Sequence, residues 1–266
     1  MKKNVLSILL LLLILLGVWA VLATIDWKGL MNWDERRQNL EERLGETIWE
    51  VMSGQETVIE DEDILAPVDS LFYRLTERND ISQEGLHLHV VANSNANAFA
   101  LPGGRIVLNS GIITFAENEA ELAGVLAHEL AHVNRDHVMD KLMREMGIAV
   151  LTSVAGGDAG GETVREVTRL LTSRAYSRQL EEEADEYAVT YMQQACFNPE
   201  DMAHFLYRLS DEYPDLPQEL FWFSTHPEPK ARAEAIAENI TGESQDCEPV
   251  LKADEWQRLN ERLGEL

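Results

Sequence analysis

Leu122-Ala123-Gly124-Val125-Leu126-Ala127-His128-Glu129-Leu130-Ala131-His132 is the stretch from which the rest of the chain is read. Ala123, Ala127 and Ala131 are strong helix formers, and Leu122, Val125 and Leu126 give the helix an apolar surface to bury. On a helix, His128 and His132 are four apart and project from one face, one turn apart. Both imidazoles then reach a single tetrahedral zinc ion at about 2.0–2.1 Å. Glu129 points near the open metal position without ligating it, and can take a proton from water there. The plainer alternative is two histidines in an ordinary contact on a half-exposed helix. The apolar, alanine-rich context weighs against it.

Catalytic zinc takes three protein ligands as a rule, so a third donor is needed. No third histidine follows at metzincin spacing, since Asp136 and His137 come too soon. A carboxylate from a later helix is the other common solution. Ser177-Arg178-Gln179-Leu180-Glu181-Glu182-Glu183-Ala184-Asp185 offers several. Taken alone, three consecutive glutamates read as a solvated helix face. Glu181 and Asp185, however, stand four apart on one face. One of them can bind metal while the other holds a ligating histidine in orientation.

Of the 266 residues, 22 are basic and 47 acidic, a formal net charge of −25. Only Lys2 and Lys3 are charged before residue 26, so residues 26–266 carry 20 basic and 47 acidic side chains, net −27. That balance excludes a nucleic-acid protein and a domain lying on anionic lipid. Val5 to Ile25 is an apolar run of membrane-spanning length, about 30 Å as a helix. Lys2 and Lys3 hold its start on the cytoplasmic side. The run predicts a single-pass anchor in the inner (cytoplasmic) membrane. The rest of the chain is then on the periplasmic or extracytoplasmic side. Val21-Leu22-Ala23 leaves the alternative of a cleaved signal and release to the periplasm. In that oxidising space Cys196 and Cys247, the two cysteines of the sequence, are expected to pair.

The remaining pattern is mostly helical, with helices expected over Trp33–Met52, Asp69–Arg78, Glu117–Arg144, Glu162–Gln194, Pro199–Leu209, Lys230–Glu238 and Ala253–Leu263. His87–Val91, Asn97–Leu101 and Arg105–Leu108 read as short strands, separated by turn residues. The expected fold is mainly α with a small β-sheet (α+β). We divide it into an anchor (1–25), a helical linker (26–60), the main domain (61–240) and a C-terminal helical extension (241–266). His87, His89, His137 and His204 read as surface or core histidines. The Gly156–Gly161 loop reads equally as a linker or a mobile gate.

Taken together, His128–His132, Ser177-Arg178-x-x-Glu181-x-x-Ala184-Asp185, Asn97–Gly104 and Ser224-Thr225-His226-Pro227 with Arg232 resemble the gluzincin family that contains the CAAX prenyl protease, HtpX and BepA. The resemblance runs from about Asp69 to Glu238. It implies a gluzincin-type metallopeptidase domain with one zinc ion per chain, held by His128, His132 and Glu181. It implies Asp185 as the residue behind a ligating histidine. It places Asn97, Ala98, Phe99 and Ala100 at a strand edge where an extended substrate docks. Glu129 is then the general base. His226 and Arg232 are the expected donors to the oxyanion, with the alternative that His226 occupies the open metal position. The expected function is a membrane-anchored zinc endopeptidase of protein quality control, acting on misfolded or membrane-associated proteins. The alternative is a chaperone-like or scaffolding module that keeps a zinc site and cleaves little.

Overall fold

Strands β1 (His87–Val91), β2 (Ala98–Leu101) and β3 (Arg105–Asn109) form one sheet with β3 in the middle. β1 runs parallel to β3, with His89 opposite Val107; β2 runs antiparallel, with Phe99 opposite Val107. The Pro102-Gly103-Gly104 turn between β2 and β3 needs glycine. Gly103 and Gly104 adopt φ +70 and +68, where a Cβ is strained. The computed structural model describes residues 16, 17, 19, 33–212, 222–240 and 248–266. The predicted span 5–25 lies outside them except for Leu16, Gly17 and Trp19. No helix among the described residues is long and apolar enough to cross a membrane.

Helices α1 (Trp33–Ser53) and α2 (Glu62–Arg78) precede the sheet. After it come α3 (Ser110–Phe115), α4 (Glu119–Asn134), α5 (His137–Glu145), α6 (Ile148–Ala155), α7 (Gly161–Ser173) and α8 (Arg178–Gln194). Next are α9 (Pro199–Glu212), the single turn α10 (Trp222–Thr225), α11 (Pro229–Asn239) and α12 (Ala253–Leu263). The architecture is the expected helical fold with a small sheet. Alternation along the strands feeds two cores. Ile106 and Leu108 join α2 and α4, while Val107 and Phe99 join Leu44, Ile48 and Met52 of α1. Residues 40–266 form one compact unit, and Leu259 and Leu263 of the C-terminal helix belong to its larger core.

Three departures from the expected helix boundaries bear on the site and its surroundings, besides the unexpected short helices α3 and α6. α2 starts at Glu62, seven residues early, because Asp61 caps it by accepting from the Asp63 amide at 3.0 Å, and the helix continues through Pro67. The 117–144 pattern breaks at Asp136, whose φ of 60 is left-handed, so that α4 ends at Asn134 and α5 begins at His137. The 162–194 pattern breaks at Arg174–Ser177, where the chain is extended at Arg174 and the Tyr176 amide donates to the Thr225 carbonyl at 3.0 Å. Cys196 is disulfide-bonded; Cys247 lies outside the described residues.

Two predictions follow from packing. A Cβ on Gly124 of α4 meets Met202 Cβ of α9 at 2.8 Å. Overpacking of about 1–3 kcal/mol outweighs the roughly 0.5–1 kcal/mol gained in helix propensity. Gly124→Ala should therefore lower the urea midpoint; an unchanged or raised midpoint contradicts the close approach. The second concerns acid. His89 stacks on Trp49 at 3.8 Å and its Nε2 is buried without a partner. Burial, aided by His87 and Arg105, lowers its pKa from 6.5 to about 4. The unfolded chain thus binds the extra proton, so stability is full above about pH 6.5 and falls toward pH 4. His89→Phe keeps the stack and should lessen the fall of the melting temperature across that window. An equal acid loss in the variant contradicts the assignment.

Candidate metal centre

Asn118 starts α4 by accepting from the Glu121 amide at 2.9 Å, and the helix then runs through the interior. His128, Glu129 and His132 are all fully buried on it. α8 brings Glu181 and Asp185 alongside, α10 brings Trp222, and His226 follows directly. α11 contributes Arg232. Eight side chains from four segments meet here.

Donor atoms of His128, His132, Glu181 and His226 all lie within 4.8 Å of one another. The two Nε2 atoms of His128 and His132 are 3.0 Å apart. Each lies 3.5 Å from a Glu181 carboxylate oxygen. Two ligands of a tetrahedral zinc ion at about 2.0–2.1 Å are roughly 3.3 Å apart, so this donor set fits zinc. His226 Nδ1 stands 3.1 Å from His128 Nε2 and 3.0 Å from Glu181 Oε1, completing a fourth corner. Glu129 Oε1 lies 3.2 Å from His226 Nε2 and accepts from Trp222 Nε1 at 2.8 Å, while its Oε2 is buried without a partner.

The two α4 histidines are backed differently. His128 Nδ1 faces Asp185 Oδ1 at 3.0 Å. His132 Nδ1 faces His137 Nδ1 at 3.1 Å, across the break at Asp136. Such outer contacts fix the tautomer and the ring plane of a ligating histidine. Burial and Arg232 oppose protonation of His128, yet Asp185 and Glu181 carry its pKa up to about 9. For His132 burial prevails and lowers it to about 3. Burial also opposes ionisation of Glu129, but His226, with His128 and His132, holds it at about 2. Glu181 is likewise held well below the usual range, burial being overcome by His226 and Arg232.

Arg232 is placed differently from the sequence expectation. Its Nε and Nη2 donate to Asp185 at 2.8 and 2.7 Å, and Nη1 lies 2.8 Å from Glu181 Oε2. The guanidinium is engaged behind the donors, where it positions Glu181 and Asp185. Asn97 and the β2 residues Ala98, Phe99 and Ala100 are on the sheet's edge strand and do not join the donor cluster. Sequence reasoning missed Trp222, His137 and Tyr176. Trp222 sits one helical turn before His226, and Tyr176 directly precedes the Ser177–Asp185 segment; either spacing was a usable signal. A second group, Glu117, Glu121 and His204, also clusters. Glu121 there is fully engaged, with Arg208 Nη2 at 2.6 Å, the Glu117 amide at 2.8 Å and His204 Nδ1 at 3.0 Å.

The profile of Peptidase family M48 matches residues 66–240, which contain His128, Glu129, His132, Glu181 and Asp185. The chain belongs to this family. Its relatives include a beta-barrel assembly-enhancing protease of Escherichia coli K12, 27% identical over 72% of this chain and 42% of the relative. The one from Yersinia pestis is 29% identical over 62% of this chain and 36% of its own length. The mitochondrial metalloendopeptidase OMA1 of Schizosaccharomyces pombe is 29% identical over 68% and 56%. The chain thus spans about a third to a little over half the length of these relatives.

Metal content tests the α8 register. Glu183 points to Arg135, whose Nε lies 2.9 Å away, not to the donors. Glu181→Gln should lose zinc by atomic emission, and Glu183→Gln should keep one equivalent. The reverse pattern overturns the assignment.

Proposed function

We propose that the chain is a zinc-dependent endopeptidase, anchored in the cytoplasmic membrane by residues 5–25, with residues 61–240 as its peptidase domain. His128, His132 and Glu181 hold the ion. A bound zinc ion supplies the Lewis acidity that polarises a peptide carbonyl. The observation that carries the reading is Glu129, a buried carboxylate held ionised beside the donor cluster with one oxygen unpartnered. An ionised Glu129 accepts a proton from the attacking water and returns it to the leaving amine. A purely structural metal site has no use for such a base, which weighs against the chaperone-like reading. Asp185 and His137 fix the two imidazoles, and Arg232 fixes both α8 carboxylates. His226 occupies a corner of the cluster and withdraws when substrate enters.

The register of β2 supports docking of an extended peptide. The Asn109 amide donates to the Asn97 carbonyl at 2.9 Å, so Asn97, Phe99 and Leu101 turn their backbone groups to β3. Ala98 and Ala100 turn theirs to the opposite side, where both residues are buried, so main-chain pairing with a peptide there requires the covering segments to move aside. Such pairing gives affinity with little sequence preference. That suits misfolded or membrane-associated proteins outside the cytoplasm, and a role in quality control. The relatives, a beta-barrel assembly-enhancing protease and a mitochondrial metalloendopeptidase, agree with such work.

The test is casein cleavage by the full chain in detergent. Chelator should abolish it, and zinc should restore it. Glu129→Gln should lower the rate by about 10²–10⁴-fold while one zinc stays bound. Undiminished cleavage by the zinc-loaded variant, or cleavage indifferent to chelator, contradicts the reading.

A further inference from the structure

Tyr176 is buried in the short extended segment between α7 and α8, and its hydroxyl has no hydrogen-bond partner. Leaving a buried hydroxyl unpaired is costly, and such a group in a native fold calls for an explanation. Its position is held from several sides. The ring stacks on His132 at 4.0 Å and lies nearly parallel to His226 at 5.7 Å. Lys141 Nζ sits 3.9 Å from the ring centroid and donates to the Arg174 carbonyl. The Tyr176 amide donates to the Thr225 carbonyl, next to His226. A phenol fixed this firmly against a metal-donor histidine, and given no acceptor, is arranged for a ligand.

The nitrogen donors of Arg232, Trp222 and Lys141 nearby already face partners. Arg232 binds Asp185 and Glu181, Trp222 Nε1 donates to Glu129, and Lys141 donates to a backbone carbonyl. Resting on the endopeptidase reading above, we propose that Tyr176 is a catalytic residue whose hydroxyl donates a hydrogen bond to the scissile carbonyl oxygen as that oxygen becomes an oxyanion. A carbonyl oxygen entering the corner that His226 vacates comes beside the Tyr176 ring. The phenol keeps its proton throughout, so the hydrogen bond adds no proton transfer to the reaction. It strengthens only as charge develops, which places its effect in kcat and leaves KM nearly unchanged.

Tyr176→Phe removes the oxygen alone and keeps the stack on His132. In the zinc-loaded full chain, kcat should fall about 100-fold, with KM and zinc content unchanged. The melting temperature should stay equal or rise, because an unpaired buried hydroxyl is gone. A phosphinic peptide, which mimics the tetrahedral oxyanion, should bind the variant weaker by the same factor as the loss in kcat/KM. A kcat within about twofold of wild type, or a clear drop in melting temperature, overturns the proposal. Absence of chelator-sensitive cleavage by wild type counts against the endopeptidase reading instead. In that case equal phosphinic-peptide affinities for wild type and variant overturn the Tyr176 assignment on their own.

Discussion

One buried guanidinium holds this centre together. Asp185 and Glu181 lie in the interior, where an ionised carboxylate is tolerated only if paired and hydrogen-bonded. Arg232 binds both, with three nitrogens on three oxygens at 2.7–2.8 Å. Burial opposes ionisation of Asp185, yet Arg232 and His128 hold its carboxyl at about 2. The charge pairing is therefore what fixes α8 and α11 together and sets Glu181 in place against α4. His128 is oriented through the same contact, since its Nδ1 faces the Asp185 oxygen that Arg232 also binds.

A consequence is that the two histidines of α4 are unequal. The anionic Asp185 stands behind His128 and makes it the more basic ring, while the neutral His137 stands behind His132. Tyr176 covers the face of His132 and leaves little room for that ring to rotate. His226 arrives from outside the α4–α8 pair on a single helical turn and meets the donors through Nδ1 and Glu129 through Nε2. Glu181 and Glu129 are thus both within reach of one imidazole on a short connecting segment. Movement of that segment alters both at once.

Much of this was legible in local pattern. The helix carrying His128 and His132 follows from alanine spacing and i,i+4 geometry, and Glu181 and Asp185 stand out as a pair by their common face on α8, their separate roles coming from the family resemblance. The three strands lie within a residue of where their turn signals put them. The breaks at Asp136 and Arg174 were not legible, because apolar residues continue on both sides in nearly helical phase. Two of the three missed residues lie at those breaks: His137 follows one and Tyr176 occupies the other. Arg232 shows the same limit. Its order in the chain was visible, but its choice of Asp185 and Glu181 over the substrate side is a tertiary contact spanning 47 residues. The sequence pattern of residues 5–25 is a strong apolar signal, and it lies almost wholly outside the described residues.

The account stands on one metal held by two α4 imidazoles and one α8 carboxylate. Zinc-edge anomalous diffraction from crystals of the zinc-loaded chain tests that most directly. We predict a single peak per chain at about 2.0–2.2 Å from His128 Nε2, His132 Nε2 and a Glu181 carboxylate oxygen. A peak at Glu117, Glu121 and His204 instead, or a site at His128 and His132 without Glu181, contradicts the account.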